Sequence, residues 1–461
     1  MKRAEHAASH FSYFQNNEGR RAELFPRSTS ACDFCATERR FGGEIVDAGQ
    51  GLAYPVLKRG ANDPLPLRQC QMFPERFSNL PAYAFPRLRA LLDGHAPGGD
   101  ILHMSIGEPK HAFPGWVAQV LADNIDGFGR YPVNEGAPEL LESITDWVQR
   151  RYGVALETDQ VMALNGTREG LYSAGMALCP ERKNGTPVVA MPNPFYQVYV
   201  ISALSVGAEP CFVPATSETG FLPDFSVLPA DVLNRLALVY ICSPANPQGA
   251  VASREYWQAL IALGEAHGFQ ILADECYSEI YRDAAPVGAL EVAHEMGADP
   301  ERVVIFHSLS KRSNMPGLRS GFVAGGPQSI ARMRQLRSYA GAPVPGPVQM
   351  VSAQLWADEA HVKANRTLYH EKFIAADATF GDVPEYVSPQ AGFFLWLPVP
   401  DGEAATLELW HKTGVRVLPG AYLGREVAGA NPGTGYIRVA MVAPMKDMQR
   451  GLKAIRETLY D

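Results

Sequence analysis

The chain has 461 residues, 46% hydrophobic and 20% charged, with 49 acidic against 41 basic side chains and a net charge of −8. That is enough apolar material to bury a large core, and the acidic balance argues against a nucleic-acid surface, which needs a basic stripe. No apolar run approaches the ~18 residues that span a bilayer, so no membrane partner is expected.

Residues 1–71 mix Gly, Pro, Asn and charge, as in RGANDPLPLRQ, with no sustained period of 2 or 3.6. Poor order is expected there. They lack the apolar core of a secretory signal, and Met72 offers an alternative start that would make them an appendage. Cys32 and Cys35 form a CxxC pair, but a zinc site wants a second pair and Cys70 stands alone, so no metal is expected. Seven cysteines, odd in number and scattered, suit a reduced, cytosolic (cytoplasmic) protein better than a disulfide scaffold.

From Leu140 the spacing predicts a helix. Leu140, Leu141, Ile144, Trp147 and Val148 share one face, with Glu142, Asp146 and Arg150 away from it. Short apolar runs then alternate with helical stretches. PVVAMP (187–192), LALVYIC (236–242), FQILAD (269–274), RVVIFHS (302–308) and GFVAG (321–325) read as buried strands, with a helical pattern from Arg254 between two of them. Such alternation predicts an α/β fold with a mainly parallel sheet covered on both faces. Ligands in open α/β sheets sit beyond the carboxyl ends of the strands. The turn SPANPQG follows 236–242, Asp274-Glu275-Cys276-Tyr277 ends 269–274, and Ser308-Leu309-Ser310-Lys311 ends 302–307, with Arg319 eight residues on. Alone, an Asp after a strand is more often a cap, a lysine a solvated charge, and NPxG a turn. Their conjunction on consecutive strand ends is far more specific.

With SIGEP (105–109), RYPVNEG (130–136), NGTREG (165–170), NPFYQVY (193–199), DECYSEIY (274–281), SLSKRSNMPGLRSGF (308–322) and IRVA (437–440), the series resembles the class I/II aminotransferases from about Met72 to Asp461. The resemblance implies the fold of the fold-type I pyridoxal-phosphate transferases, a large domain with a mainly parallel sheet under helices plus a smaller α+β domain. In these boundaries 72–120 is an N-terminal arm with part of the small domain, 121–345 the large cofactor-binding domain, and 346–461 the small C-terminal domain. The implied cofactor is pyridoxal 5'-phosphate. Lys311 matches the lysine that holds it covalently and moves the α-proton. Asp274 matches the carboxylate partner of the ring nitrogen, Tyr277 and Asn246 the groups on the ring oxygen, and Tyr196 the aromatic on the ring face. Gly166, Thr167 and Arg168, opening a helix whose N-terminal amides suit an anion, match phosphate ligands together with Ser308, Ser310 and Arg319. Tyr131 matches a tyrosine that reaches the phosphate of the neighbouring subunit, which implies a homodimer with shared active sites. Arg438 matches the arginine that grips the substrate α-carboxylate, with Gly107 and Asn246 beside it.

Within the family, SIGEPKH, NPFYQVY, ECYSEIY and SLSKRSNMPGLRSGFVAG look like bacterial N-succinyldiaminopimelate aminotransferases. That branch implies exchange of an amino group between N-succinyl-LL-2,6-diaminopimelate and the glutamate/2-oxoglutarate pair, in lysine biosynthesis. Extra carboxylates on such a substrate would need extra donors, and Arg312, Asn314, Arg337 or Lys110 are candidates. A class I aminotransferase acting on aspartate, alanine or aromatic substrates, or a pyridoxal-phosphate lyase on the same fold, is the alternative. An aminotransferase-like transcriptional regulator would need a winged helix upstream, and 1–71 shows no recognition helix. No GxGxxG follows an early strand and no GK[ST] marks a P-loop.

Overall fold

A strand buried on both faces reads as a nearly continuous apolar run, and the central strands of this chain do so, with polar residues confined towards their ends. The computed structural model describes residues 75–78, 80 and 82–461. The segment 1–71, with the Cys32–Cys35 pair and Cys70, lies outside the described residues. Twelve strands follow in chain order: β1 (Leu102–His103), β2 (Val161–Leu164), β3 (Val188–Asn193), β4 (Glu209–Pro214), β5 (Leu236–Cys242), β6 (Gln270–Asp274), β7 (Val303–Ser308), β8 (Gly321–Ala324), β9 (Phe394–Pro398), β10 (Val415–Arg416), β11 (Leu418–Pro419) and β12 (Tyr436–Ala440).

Seven of them form one sheet in the order β2-β8-β7-β6-β5-β3-β4. All its pairings are parallel except those of β8, which runs antiparallel to both neighbours. The five expected runs are the strands β3, β5, β6, β7 and β8, with ends within a residue or two. Side chains along them alternate between two cores, as a period of two requires. On β7, Val303 and Ile305 join a core built around Trp147, Trp257 and Trp356, while Val304 and Phe306 join Tyr199 and Tyr240 on the other face.

The helices covering the sheet begin and end where local chemistry dictates. Helix Pro138–Tyr152 buries the predicted face of Leu140, Leu141, Ile144, Trp147 and Val148, and stops at Gly153 with φ +71°. Helix Arg254–His267 starts at Ser253, whose hydroxyl accepts from the Tyr256 N–H at 3.2 Å, a regular N-cap. Helix Gly346–Ala357 places Val351, Leu355 and Trp356 in the core with Trp147.

A second core gathers around the antiparallel sheet β11-β12-β9, helix Ala360–Phe380 and helix Met445–Leu459. The short parallel pair β1–β10 adds Leu102 and Val415 to it. Strand β1 therefore hands the chain from this core into the SIGEP segment. The carboxyl ends of β5, β6 and β7 and strand β12 carry the polar residues singled out from the sequence.

Candidate active site

Strand β6 delivers Asp274 almost fully buried, 4% exposed. A carboxylate so placed needs donors. Tyr199, on helix Gln197–Ser205, gives it one, Oη to Oδ2 at 2.9 Å, and the Cys276 N–H reaches Oδ1 at a longer 3.4 Å. Burial pushes the Asp274 pKa up, and the Tyr199 bond opposes it. Tyr199 itself stacks on Tyr240, centroids 4.7 Å apart and planes within 9°. Nothing in the motif singled it out beyond its place three residues after Tyr196, which stands at the N-cap of that helix.

Strand β7 ends at Ser308, whose hydroxyl caps the turn Leu309–Arg312 by accepting from the Ser310 N–H at 3.1 Å. That turn aims Lys311 back across the sheet end, where Nζ donates to the Gly107 carbonyl. The ammonium lies 5.2 Å from the Phe393 ring centroid and 5.9 Å from that of Tyr277. Desolvation, with the nearby Arg438 and Arg319 charges, brings the Lys311 pKa down to about 8 against the pull of Cys276 and Glu108. A tenth or so of the amine is then neutral at pH 7, which a nucleophile requires. A Cβ on Gly107 would stand 2.5 Å from Phe394 Cζ, so only glycine lets this carbonyl sit there.

Arg168, Arg319, Ser308 and Ser310 line one cavity of about 950 Å³ with Thr167, Tyr196, Cys276 and Lys311. Arg319 donates to the carbonyls of Pro316 at 2.7 Å and Asn165 at 3.0 Å, and approaches Ser310 Oγ at 3.4 Å. Arg168 Nε donates to Tyr196 Oη at 2.9 Å. Partial burial and the neighbouring Arg168 charge lower the Arg319 pKa. Gly166, with φ +80°, caps helix Thr167–Leu178, and a Cβ there would fall on Arg319 Nη2. Among the described residues neither arginine has a carboxylate partner within ion-pair distance. Two cations, two hydroxyls and a helix N-terminus without a compensating anion form a phosphate-shaped demand.

Arg438, on β12, is 5% exposed. Nη1 donates to Asn246 Oδ1 at 2.9 Å, Nη2 to the Ser105 carbonyl at 2.8 Å, and the guanidinium carbon lies 4.2 Å from the Phe394 centroid. Nε is buried without a partner. Burial brings the pKa of this group down to about 10, and no carboxylate in the described chain neutralises it. Tyr277, buried beside Phe393 at 5.3 Å between centroids, has its phenol pKa raised by burial. Asn246 therefore stands between the arginine on β12 and the end of β5. Gly107, Asn246, Asp274, Tyr277 and Arg438 lie outside the lining of that cavity and are buried or half-buried beside it, whereas Tyr131 also lies outside the lining but is fully exposed.

The donors considered for a distal carboxylate divide. Arg312 is spent on the Leu355 and Asp358 carbonyls and on Glu359 at 2.7 Å. Arg337 is spent on Glu169 and on the Ala163 carbonyl at 3.0 Å. Both point into the fold. Lys110 is exposed and paired with Glu108, and Asn314 is buried and donates to Asn365 at 3.0 Å.

These residues fit pyridoxal phosphate on their own chemistry: an uncompensated cation pair for the phosphate, a desolvated carboxylate for a ring cation, and a depressed amine for an aldehyde. The chain matches the family model of class I and II aminotransferases over residues 99–455. It belongs to that family. Its cofactor is accordingly pyridoxal phosphate. An LL-diaminopimelate aminotransferase of Dehalococcoides mccartyi (strain 195) is 32% identical over 393 residues, 82% of this chain and 96% of the relative. An aminotransferase of Neisseria meningitidis Z2491, solved by crystallography, is 36% identical with a TM-score of 0.79, covering 83% of this chain and 99% of that one. A probable N-succinyldiaminopimelate aminotransferase of Thermus thermophilus shares the fold, with a TM-score of 0.70 at 24% identity over 82% and 98% of the chains. Among the described residues no helix is long and apolar enough to cross a membrane.

Proposed function

We propose that this aminotransferase moves the amino group of a diaminopimelate-class amino acid to 2-oxoglutarate, forming glutamate, in lysine biosynthesis. The carrying observation is the buried, carboxylate-free Arg438 held between Asn246 and Ser105 near Lys311, which fits an amino acid's α-carboxylate. Curated relatives of about 30% identity over nearly their whole length bear the name LL-diaminopimelate aminotransferase, whereas the N-succinyl name comes with a structure of 24% identity. The free diamino acid is therefore the first substrate in this reading and its N-succinyl form the second.

In this reading Gly166, Thr167, Arg168, Ser308, Ser310 and Arg319 hold the phosphate, Asp274 the ring nitrogen, Tyr277 and Asn246 the ring oxygen, and Tyr196 the ring face. Pyridoxal phosphate supplies an aldehyde that takes up the amino group and a cationic ring that accepts electrons. Arg438 binds the α-carboxylate through its two outer nitrogens, displacing Asn246 or Ser105 as partner. Lys311, once released as a free amine, takes the proton from Cα and returns it on the other side of the transfer. Its depressed pKa makes that two-way traffic feasible near neutral pH. Tyr199 holds the Asp274 carboxyl in place and opposes the rise in its pKa that burial causes. Phe393, 5.2 Å from the Lys311 ammonium, and Phe394, 4.2 Å from the Arg438 guanidinium, wall one side of the site. A large cofactor-binding domain, a small C-terminal domain, a homodimer in which Tyr131 serves the partner's site, and a cytoplasmic location belong to the same reading.

The test is a steady-state comparison of LL-diaminopimelate, its N-succinyl derivative, aspartate, alanine and phenylalanine as donors to 2-oxoglutarate. Highest kcat/KM with either diaminopimelate form supports the reading. Preference for a short or aromatic donor, or release of ammonia instead of glutamate, overturns it.

A further inference from the structure

Lys372, on helix Ala360–Phe380, is 1% exposed and takes no part in the chemistry described above. A buried ammonium without a carboxylate is costly, so its neutral partners must matter. Nζ donates to the Met441 carbonyl at 3.0 Å and lies 2.7 Å from His111 Nε2. The other ring nitrogen of His111 is 2.8 Å from Asn365 Oδ1, and the same oxygen accepts from Asn314 Nδ2 at 3.0 Å. An amide oxygen only accepts, so His111 carries its hydrogen on Nδ1 and receives Lys372 at Nε2. The His111 and Lys372 pKa values are both lowered, that of Lys372 to about 8, with burial the main cause at each. The Tyr369 ring packs on both, 4.6 Å from the His111 ring and 5.1 Å from Nζ.

The ends of this chain of bonds are what give it meaning. Met441 follows the strand that carries Arg438. His111 closes the segment that carries Gly107, whose carbonyl receives Lys311. Asn314 lies three residues after Lys311, in a left-handed conformation with φ +54°. One buried amine thus reaches all three segments that bear the amine, its acceptor and the carboxylate clamp.

We propose that Lys372, His111, Asn365 and Asn314 form a positioning relay that fixes Lys311, Gly107 and Arg438 relative to one another through helix Ala360–Phe380. None of the four touches the reacting atoms, so each is a positioning residue. The proposal rests on the aminotransferase reading of the site and deepens it. A misplacement of about 1 Å at a reacting group costs up to ~10²-fold in rate, so loosening any one link should register in turnover.

The experiment uses protein loaded with pyridoxal phosphate and three variants: Lys372→Met, Asn314→Gly and the double. Methionine keeps the volume of Lys372 and removes its donors. Glycine keeps the left-handed backbone of Asn314 and removes its amide. We expect the glutamate half-reaction at saturating donor to slow about 10-fold or more in each single variant. The double should be no slower than Lys372→Met alone, since both cut one chain. The visible absorbance band of the loaded protein should shift its apparent pKa by about half a unit or more, a readout independent of turnover. Single-variant rates within about twofold of the wild type, or additive losses with an unmoved band, overturn the relay. If Lys372→Met does not fold, the rate and band of Asn314→Gly decide. Failure of the wild type itself to react with glutamate would instead sink the aminotransferase reading, leaving the band to judge the relay.

Discussion

Replacing Tyr199 by phenylalanine removes one oxygen and one hydrogen bond and leaves the ring stacked on Tyr240. That bond, 2.9 Å to Oδ2, is the stronger of the two that Asp274 receives, since the Cys276 amide stands off at 3.4 Å. A bond to a charged acceptor is worth about 1.5–3 kcal/mol and one to a neutral acceptor about 1 kcal/mol. Burial already raises the Asp274 pKa and Tyr199 restrains it, so the variant raises it further. A carboxyl with a raised folded-state pKa contributes stability below the unfolded value, about 3.9, and loses it as pH climbs through the folded value. The deficit of Tyr199→Phe in cofactor-free protein should therefore be about 1 kcal/mol near pH 4 and grow towards 1.5–3 kcal/mol by pH 8. Urea unfolding at the two pH values measures it. In the loaded enzyme the same loss weakens the hold on the ring nitrogen, and the glutamate half-reaction should slow by about 10- to 10²-fold. A deficit that does not change with pH, together with a wild-type half-reaction, would refute the assignment of Tyr199 as the group that opposes the rise in the Asp274 pKa.

Gly166→Ala sets a methyl group against Arg319 Nη2 and forces an alanine to φ +80°; cofactor affinity, titrated by the visible band, should fall about 10-fold or more. Unchanged affinity would show that Arg319 moves freely and does not hold the phosphate. Arg438→Ala removes a contact that both amino donors share, so both half-reactions should slow by a similar factor, about 10²-fold. Stopped-flow traces in which one half-reaction is spared would contradict a common α-carboxylate clamp.

Much of this architecture was legible because its causes are local. A strand covered on both faces reads as a nearly continuous apolar run, and LALVYIC reads that way from its seven residues alone. Trp147 and its helix neighbours announce one face by their spacing. Strands β2 and β4 carry weaker signals, since VMAL is only four residues and EPCFVP is partly exposed and contains two prolines. The antiparallel direction of β8 is a matter of connection, which no residue in GFVAG encodes. At the site, the residues mounted on strand ends could be named, while their supports could not. Tyr199 supports Asp274 across the sheet face from a separate helix, and Lys372 reaches His111 across 261 positions of sequence. Arg312 and Arg337 look like free donors in the sequence, yet fold inward onto carbonyls that only the tertiary structure brings near. Partner choice for a long side chain is settled by packing, and packing is where periodicity stops informing.

Tyr131 turns that limit into a test. Its motif resembles one whose tyrosine reaches the phosphate of the neighbouring subunit, and in a single chain its side chain is fully exposed and outside the cavity lining. Beside it Ile125, Phe128 and Val133 are exposed as well, an unusual concentration of apolar surface for one short stretch. Both facts follow if this stretch is covered by a second copy and the phenol enters the partner's site. Mixed dimers separate that arrangement from any use within one chain. Combine a subunit bearing Lys311→Ala with one bearing Tyr131→Phe. Homodimers of the first lack the amine, and homodimers of the second should bind the cofactor about 10-fold more weakly. In the mixed dimer, a tyrosine working in trans leaves one site with both its own Lys311 and the partner's Tyr131. That site should bind and turn over as the wild type does, giving half the wild-type activity per dimer at low cofactor. A tyrosine working within its own chain leaves no such site, and mixing would then restore nothing.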